Sequence, residues 1–156
     1  MNLASLLNRD QVMPEMEATG HWEAIVELVS HLHIRGYLES GQVKPVLEAL
    51  EEREGKISTG IGHGVAIPHA FSDDVDEVTA VFGRSKVGIE FESLDNAPVY
   101  FVILFIVPRK KYQMHLKTLA AIAKLFNNRN IRERLSKAES VDEILTIFSK
   151  RPSRSA

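Results

Sequence analysis

Val99-Tyr100-Phe101-Val102-Ile103-Leu104-Phe105-Ile106-Val107 is the longest apolar run of the chain, and its reading decides the fold. It is β-branched and aromatic almost throughout, with no polar alternation. That is the pattern of a central strand covered on both faces. Pro108 cannot donate to a ladder and closes the strand. Asp95-Asn96-Ala97-Pro98 before it is turn chemistry. Nine residues fall well short of the roughly 20 that a membrane-crossing helix needs.

Working outward, residues 77–84 set Val78, Ala80 and Phe82 against Thr79 and Val81, and predict a strand. Residues 87–91 predict a short second one. Upstream, residues 20–35 carry Trp22, Ile25, Val26, Val29 and Leu32 on one helical face, with Gly36 as a stop. A second helix is expected over 42–54, turning Val43, Val46, Leu47 and Leu50 inward and holding Pro45 near its first turn. Downstream, residues 112–126 bring Leu116, Leu119, Ile122, Ala123 and Phe126 onto one face. A short helix over 131–137 and another over 140–149 follow, the last opened by Ser140 and Glu143 at capping-box spacing. Helices, then strands, then helices predict an α/β fold: a mixed β-sheet sandwiched between helices, one domain over 1–150. The polar, basic residues 151–156 are expected to form a disordered tail.

Composition narrows the function. The chain has 156 residues, 44% hydrophobic and 26% charged, which is the ordinary globular balance. A formal net charge of -2 gives no overall pull toward nucleic acid or an anionic membrane. With no cysteine there are no disulfides, no Cys-ligated zinc and no thiol catalysis. The N-terminus has no positive region followed by an apolar run, so the reading is a soluble, cytoplasmic protein without membrane insertion.

The chemistry points to Ser58-Thr59-Gly60-Ile61-Gly62-His63-Gly64-Val65-Ala66-Ile67-Pro68-His69-Ala70. Alternating glycines let several backbone N–H groups converge on an anion. His69, after the fixed φ of Pro68, closes the segment. An anion cradle joined to a nucleophile suggests phosphoryl chemistry on histidine. A neutral imidazole supplies the lone pair near pH 7, and its other nitrogen should donate to a carbonyl or carboxylate that fixes the tautomer.

The other histidines carry less. His21, His31 and His33, in the first helix region, read as partly solvated surface residues, and His31 and His33 lack the i, i+4 spacing of a metal pair. For His63 two readings stand side by side, a loop residue facing water and a rim residue of the anion site. His115, among Lys110, Lys111 and Lys117, reads as exposed unless the buried strand returns it to the glycine segment. Gly55-Lys56 lacks the rest of a P-loop, and Val65 replaces the third glycine of a dinucleotide fingerprint. A zinc site from His63, His69 and His115 matches no standard spacing. The acidic run Asp73, Asp74, Asp76 and Glu77 reads as a solvated loop pointing away from His69.

Arg53-Glu54, Ser58-Thr59-Gly60-Ile61-Gly62 and Gly64-Val65-Ala66-Ile67-Pro68-His69 closely resemble the fructose/mannitol-type enzyme IIA domain of the bacterial phosphoenolpyruvate-dependent phosphotransferase system. His115-Leu116 resembles the family's second histidine. The likeness runs from about residue 3 to 149 by order of elements. It implies a phosphocarrier of α/β fold with a mixed sheet. Such a protein takes a phosphoryl group from HPr or its nitrogen-branch paralogue on Nε2 of His69. It then passes the group to a IIB protein or uses it as a regulatory switch. By the same resemblance His115 and Arg53 line the site, Thr59, Gly60, Gly62 and Gly64 bind the phosphoryl group, and no metal or cofactor takes part. His63 departs from the Asn or Glu usual between the two glycines. The wording 58–62 and the end of the chain soon after the domain lean toward a stand-alone nitrogen-regulatory form. The alternatives are a sugar-specific IIA transport component and a non-catalytic regulatory binding module.

Overall fold

The computed structural model describes residues 3–149, so the tail expected over 151–156 lies outside the described residues. Strand β1 (Val12–Met13) follows two short 3-10 turns, and helices α1 (His21–Ile34) and α2 (Ser40–Glu54) come next. Three short strands then run through the glycine segment: β2 (Gly60–Gly62), β3 (Val65–Ala66) and β4 (His69–Phe71). Strands β5 (Thr79–Ile89) and β6 (Val99–Val107) precede α3 (Tyr112–Phe126), α4 (Arg129–Lys137) and α5 (Val141–Ser149).

The run Val99–Val107 is the central strand its composition predicts. β5 pairs with it antiparallel on one side, and β3 and β4 pair with it parallel on the other. β1 extends the sheet beyond β5, and β2 extends it beyond β3. The sheet is therefore mixed, and helices cover both faces. Phe101, Ile103, Phe105 and Val107 point toward α3, α4 and α5, where they meet Ile122, Phe126, Leu135 and Phe148. Val102, Leu104 and Ile106 point the other way, to Ile25, Leu28 and Leu32 of α1 and Val46 and Leu50 of α2. Alternation along a strand divides one apolar run between two cores.

Four expectations need correcting. The strands expected over 77–84 and 87–91 are one strand, Thr79–Ile89, with an irregular register between Arg84 and Ile89. The Ser85 hydroxyl accepts the Gly88 N–H at 2.9 Å, and Gly88 takes φ +97. This bulge breaks the alternation without ending the pairing. Second, α2 starts at Ser40 rather than 42, which puts Pro45 beyond the first turn. Third, the inward face of α3 is His115, Ile122 and Phe126, with Leu119 half-buried, whereas Leu116 is 46% exposed and Ala123 is exposed. Positions 115, 119, 122 and 126 share one helical face, and 116 and 123 lie about 100° round from it. The expected cap of α5 is also displaced. Ser140 accepts the Glu143 N–H at 3.1 Å, but the Glu143 carboxylate reaches back to the N–H of Glu139, at 2.8 Å.

Candidate functional site

The glycine segment is a hairpin followed by a strand rather than an open loop. Gly62 pairs with Val65 across the two-residue turn His63-Gly64. Both turn residues have positive φ, +57 and +77, the signs of a type I′ turn. Gly60 lies so close to Ser93 that a Cβ there would come within 2.9 Å of the Ser93 Cα. β3 and β4 then track β6 with one offset, Val65 opposite Phe101 and His69 opposite Phe105. Pro68 interrupts them because it has no N–H, while its carbonyl accepts the Phe105 N–H at 2.9 Å.

That register carries His69 to the sheet face covered by α3, where His115 is waiting. The two rings lie 5.2 Å apart, tilted by 54°. His69 Nδ1 lies 2.9 Å from the Ile67 carbonyl. A carbonyl only accepts, so Nδ1 carries the hydrogen and the lone pair sits on Nε2. Burial holds the His69 pKa below the ordinary histidine value. The bond to Ile67 opposes that shift, the Arg53 charge adds to it, and the Glu54 charge opposes it.

His115 is only 1% exposed, packed by Phe71 at 5.7 Å and Phe105 at 5.5 Å. Burial, and then the neighbouring His69, push its pKa down to about 4. Neither of its ring nitrogens has a hydrogen-bond partner among the described residues. Near pH 7 the site therefore holds two neutral imidazoles within reach of the permanent charge of Arg53. Arg53, in the last turn of α2, is anchored by one N–H to the Ile57 carbonyl at 2.9 Å.

The structure thus brings His69 and His115 together, with the Arg53 charge acting on His69. Thr59 is buried one step behind them, with its N–H and hydroxyl both on the Glu54 carboxylate. The Gly60 N–H is taken by the Ser58 hydroxyl at 3.1 Å. Gly62 and Gly64 stand at the turn end, where their near neighbours are Asp95 and Tyr100. Of the two readings of His63, the turn position accounts for its place: it is exposed between the two glycines.

His115 stands beside His69, the second of its two readings, but its near-complete burial was not foreseen, because nothing in its lysine-rich surroundings signals the aromatic sheet face it packs on. His21 is half-buried, with Nε2 2.7 Å from Glu54 and its ring 4.0 Å from Phe91, not simply a surface residue. His31 and His33 bond to the carbonyls of Asp10 and Leu38. Asp73 of the acidic run is paired with Arg109 at 2.9 Å. Among the described residues no group of three or more His, Asp or Glu is placed to hold a metal ion, and no helix is long and apolar enough to cross a membrane.

Comparison with known proteins gives the family of the chain. Residues 5–151 match the family model described as phosphoenolpyruvate-dependent sugar phosphotransferase system, EIIA 2. The nitrogen regulatory protein of Escherichia coli (strain K12) is 33% identical over 96% of this chain and 90% of its own length. The fructose-specific EIIABC component of Bacillus subtilis (strain 168) is 35% identical over 96% of this chain, which spans only 23% of that protein. Among solved structures, the nitrogen regulatory protein IIA-Ntr from Neisseria meningitidis superposes with a TM-score of 0.85 at 29% identity, covering 94% of this chain and 99% of that one.

Proposed function

Because this chain belongs to the EIIA 2 family of the phosphoenolpyruvate-dependent sugar phosphotransferase system, we propose that it carries a phosphoryl group on Nε2 of His69. The observation that carries this reading is the His69 ring itself: Nδ1 is committed to the Ile67 carbonyl and Nε2 keeps its lone pair beside a buried, neutral His115. In the transfer step the Nε2 lone pair attacks the phosphorus of a phosphohistidine on an HPr-like phosphocarrier. A nitrogen–phosphorus bond forms on His69, the donor's breaks, and its electron pair returns to the donor ring. The positive charge that develops on the His69 ring is stabilised through Nδ1–H by the carbonyl of Ile67.

Arg53 offers a guanidinium to the phosphoryl oxygens, and His115 offers a ring N–H. Both act by position and charge, which is most of what phosphoryl transfer asks of a protein. Thr59, Gly60, Gly62 and Gly64, expected as phosphoryl ligands, support the group indirectly on this reading: Thr59 braces the nucleophile, and the glycines shape the hairpin. The reaction takes place in the cytoplasm and needs no cofactor. The acceptor is a IIB protein, or the phosphorylated form is itself the signal. The E. coli relative, matched over nearly its whole length, favours a nitrogen-regulatory role; the B. subtilis relative keeps the sugar-specific role as the second reading.

The test is to mix the protein with phosphoenolpyruvate, enzyme I and HPr, or the nitrogen-branch phosphocarrier, and measure intact mass. The expected result is one acid-labile phosphoryl group, absent from His69→Ala. Equal labelling of His69→Ala, or no labelling with either active donor, overturns the reading.

A further inference from the structure

Glu54 follows Arg53 in sequence, but its side chain turns inward and is 6% exposed. The position is unfavourable for a carboxylate. It lies at the C-terminal end of α2, the negative end of the helix dipole, and out of water. Three donors compensate. Thr59 gives both its N–H, at 3.2 Å, and its hydroxyl, and His21 closes from the other side at 2.7 Å. Since a carboxylate only accepts, His21 Nε2 carries a hydrogen.

The bonds continue past Thr59. Its carbonyl accepts the Ile67 N–H at 3.0 Å, and the Ile67 carbonyl accepts His69 Nδ1–H at 2.9 Å. Pro68 makes this arrangement matter. In an ordinary strand the peptide joining residues 67 and 68 would be held by its own N–H as well as its carbonyl, but here that N–H does not exist. The aim of the Ile67 carbonyl then depends on the fixed φ of Pro68 and on the bond that holds Ile67 to Thr59. A continuous chain therefore runs from His21 through Glu54, Thr59 and Ile67 to the ring of His69.

We propose that Glu54, backed by His21, is a positioning residue: by holding Thr59 it aims the Ile67 carbonyl at His69 Nδ1 and keeps the nucleophilic lone pair on Nε2. The geometry stands without the carrier reading; its catalytic consequence rests on that reading. The Glu54 charge also reaches His69 and raises its pKa against the effect of burial.

The test follows the imidazole nitrogens of His69 by 15N NMR in the wild type, Glu54→Gln, Thr59→Val, His21→Gln and His21→Ala, alongside phosphoryl-transfer kinetics. Wild type should show a single Nδ1–H tautomer. Glu54→Gln should mix the tautomers, move the His69 titration to lower pH, and lower kcat by at least about tenfold with KM for the phosphocarrier unchanged, as misaimed reacting groups do. Thr59→Val keeps the backbone N–H and should fall between. His21→Gln, which can still donate to Glu54, should resemble wild type more closely than His21→Ala. A folded Glu54→Gln that keeps a single tautomer and wild-type kcat overturns the proposal. If Glu54→Gln does not fold, Thr59→Val and the His21 pair decide it by the same two readouts. Mixed tautomers in the variants of a protein that accepts no phosphoryl group would uphold the positioning chain and overturn only the carrier reading.

Discussion

At one end of residues 60–71 the chain turns through an exposed His63 and through Gly64 beside Tyr100, both with positive φ. At the other end, five residues and roughly 16 Å of extended chain away, His69 points its ring at His115 under α3. The two ends look like one motif in the sequence, a glycine loop that leads to a histidine. In the fold they are separate. The turn end builds the hairpin that pairs β2 with β3, and the strand end pairs with β6 in the register that places the proposed nucleophile.

This division can be broken most sharply at His69. His69→Ala should take up no phosphoryl group by intact mass while keeping the wild-type circular dichroism spectrum and melting temperature, because the half-buried ring contributes to chemistry more than to packing. Loss of folding together with labelling would merge the two ends again.

His115→Leu should come next. Transfer should slow by about 100-fold, the loss typical when one donor to a developing charge is removed. The same variant should be more stable at neutral pH by about 1 kcal/mol, because it removes two buried ring nitrogens without partners and keeps the apolar contacts. The difference should widen in acid. A histidine of ordinary pKa 6.5 when unfolded and about 4 when folded binds its proton first in the unfolded chain. Its contribution is complete above pH 6.5 and is lost as pH falls toward 4, by up to roughly 3 kcal/mol for this shift. Urea unfolding at several pH values, wild type against His115→Leu, checks both signs.

At the turn end the effects should fall on folding alone. Gly60→Ala forces a Cβ against the backbone of Ser93 and should cost about 1–3 kcal/mol, read by denaturant midpoint. The folded fraction should still accept phosphate at the wild-type rate. The smallest effect belongs to His63→Asn. Asn-Gly is the preferred type I′ pair, so stability should rise by about a few tenths of a kcal/mol with transfer unchanged. A large loss of transfer in His63→Asn would return the turn end to the site.

Much of this was legible beforehand where a local pattern coincided with a local structure. β6 spans the residues its composition predicts, because a run apolar on both faces has one stable place in a layered fold. α3 also keeps its expected bounds. The three strands of the glycine segment were not legible. At two or three residues each they are too short to show a period, and the glycines in them signal turns. The join of two expected strands into β5 was hidden by its bulge.

By itself the sequence determined the layers, the two-faced central strand and the choice of His69 as the proposed nucleophile, because apolar period, turn residues and the restriction on either side of a proline act within a few residues of chain. Only the tertiary structure decided which face of α3 goes inward and so buries His115. Only there does Glu54 meet His21, 33 residues earlier in the chain, and take both the N–H and the hydroxyl of Thr59. Those outcomes depend on what a neighbouring element presents, aromatic rings of the sheet in one case and a buried carboxylate in the other, and no local spacing carries that information.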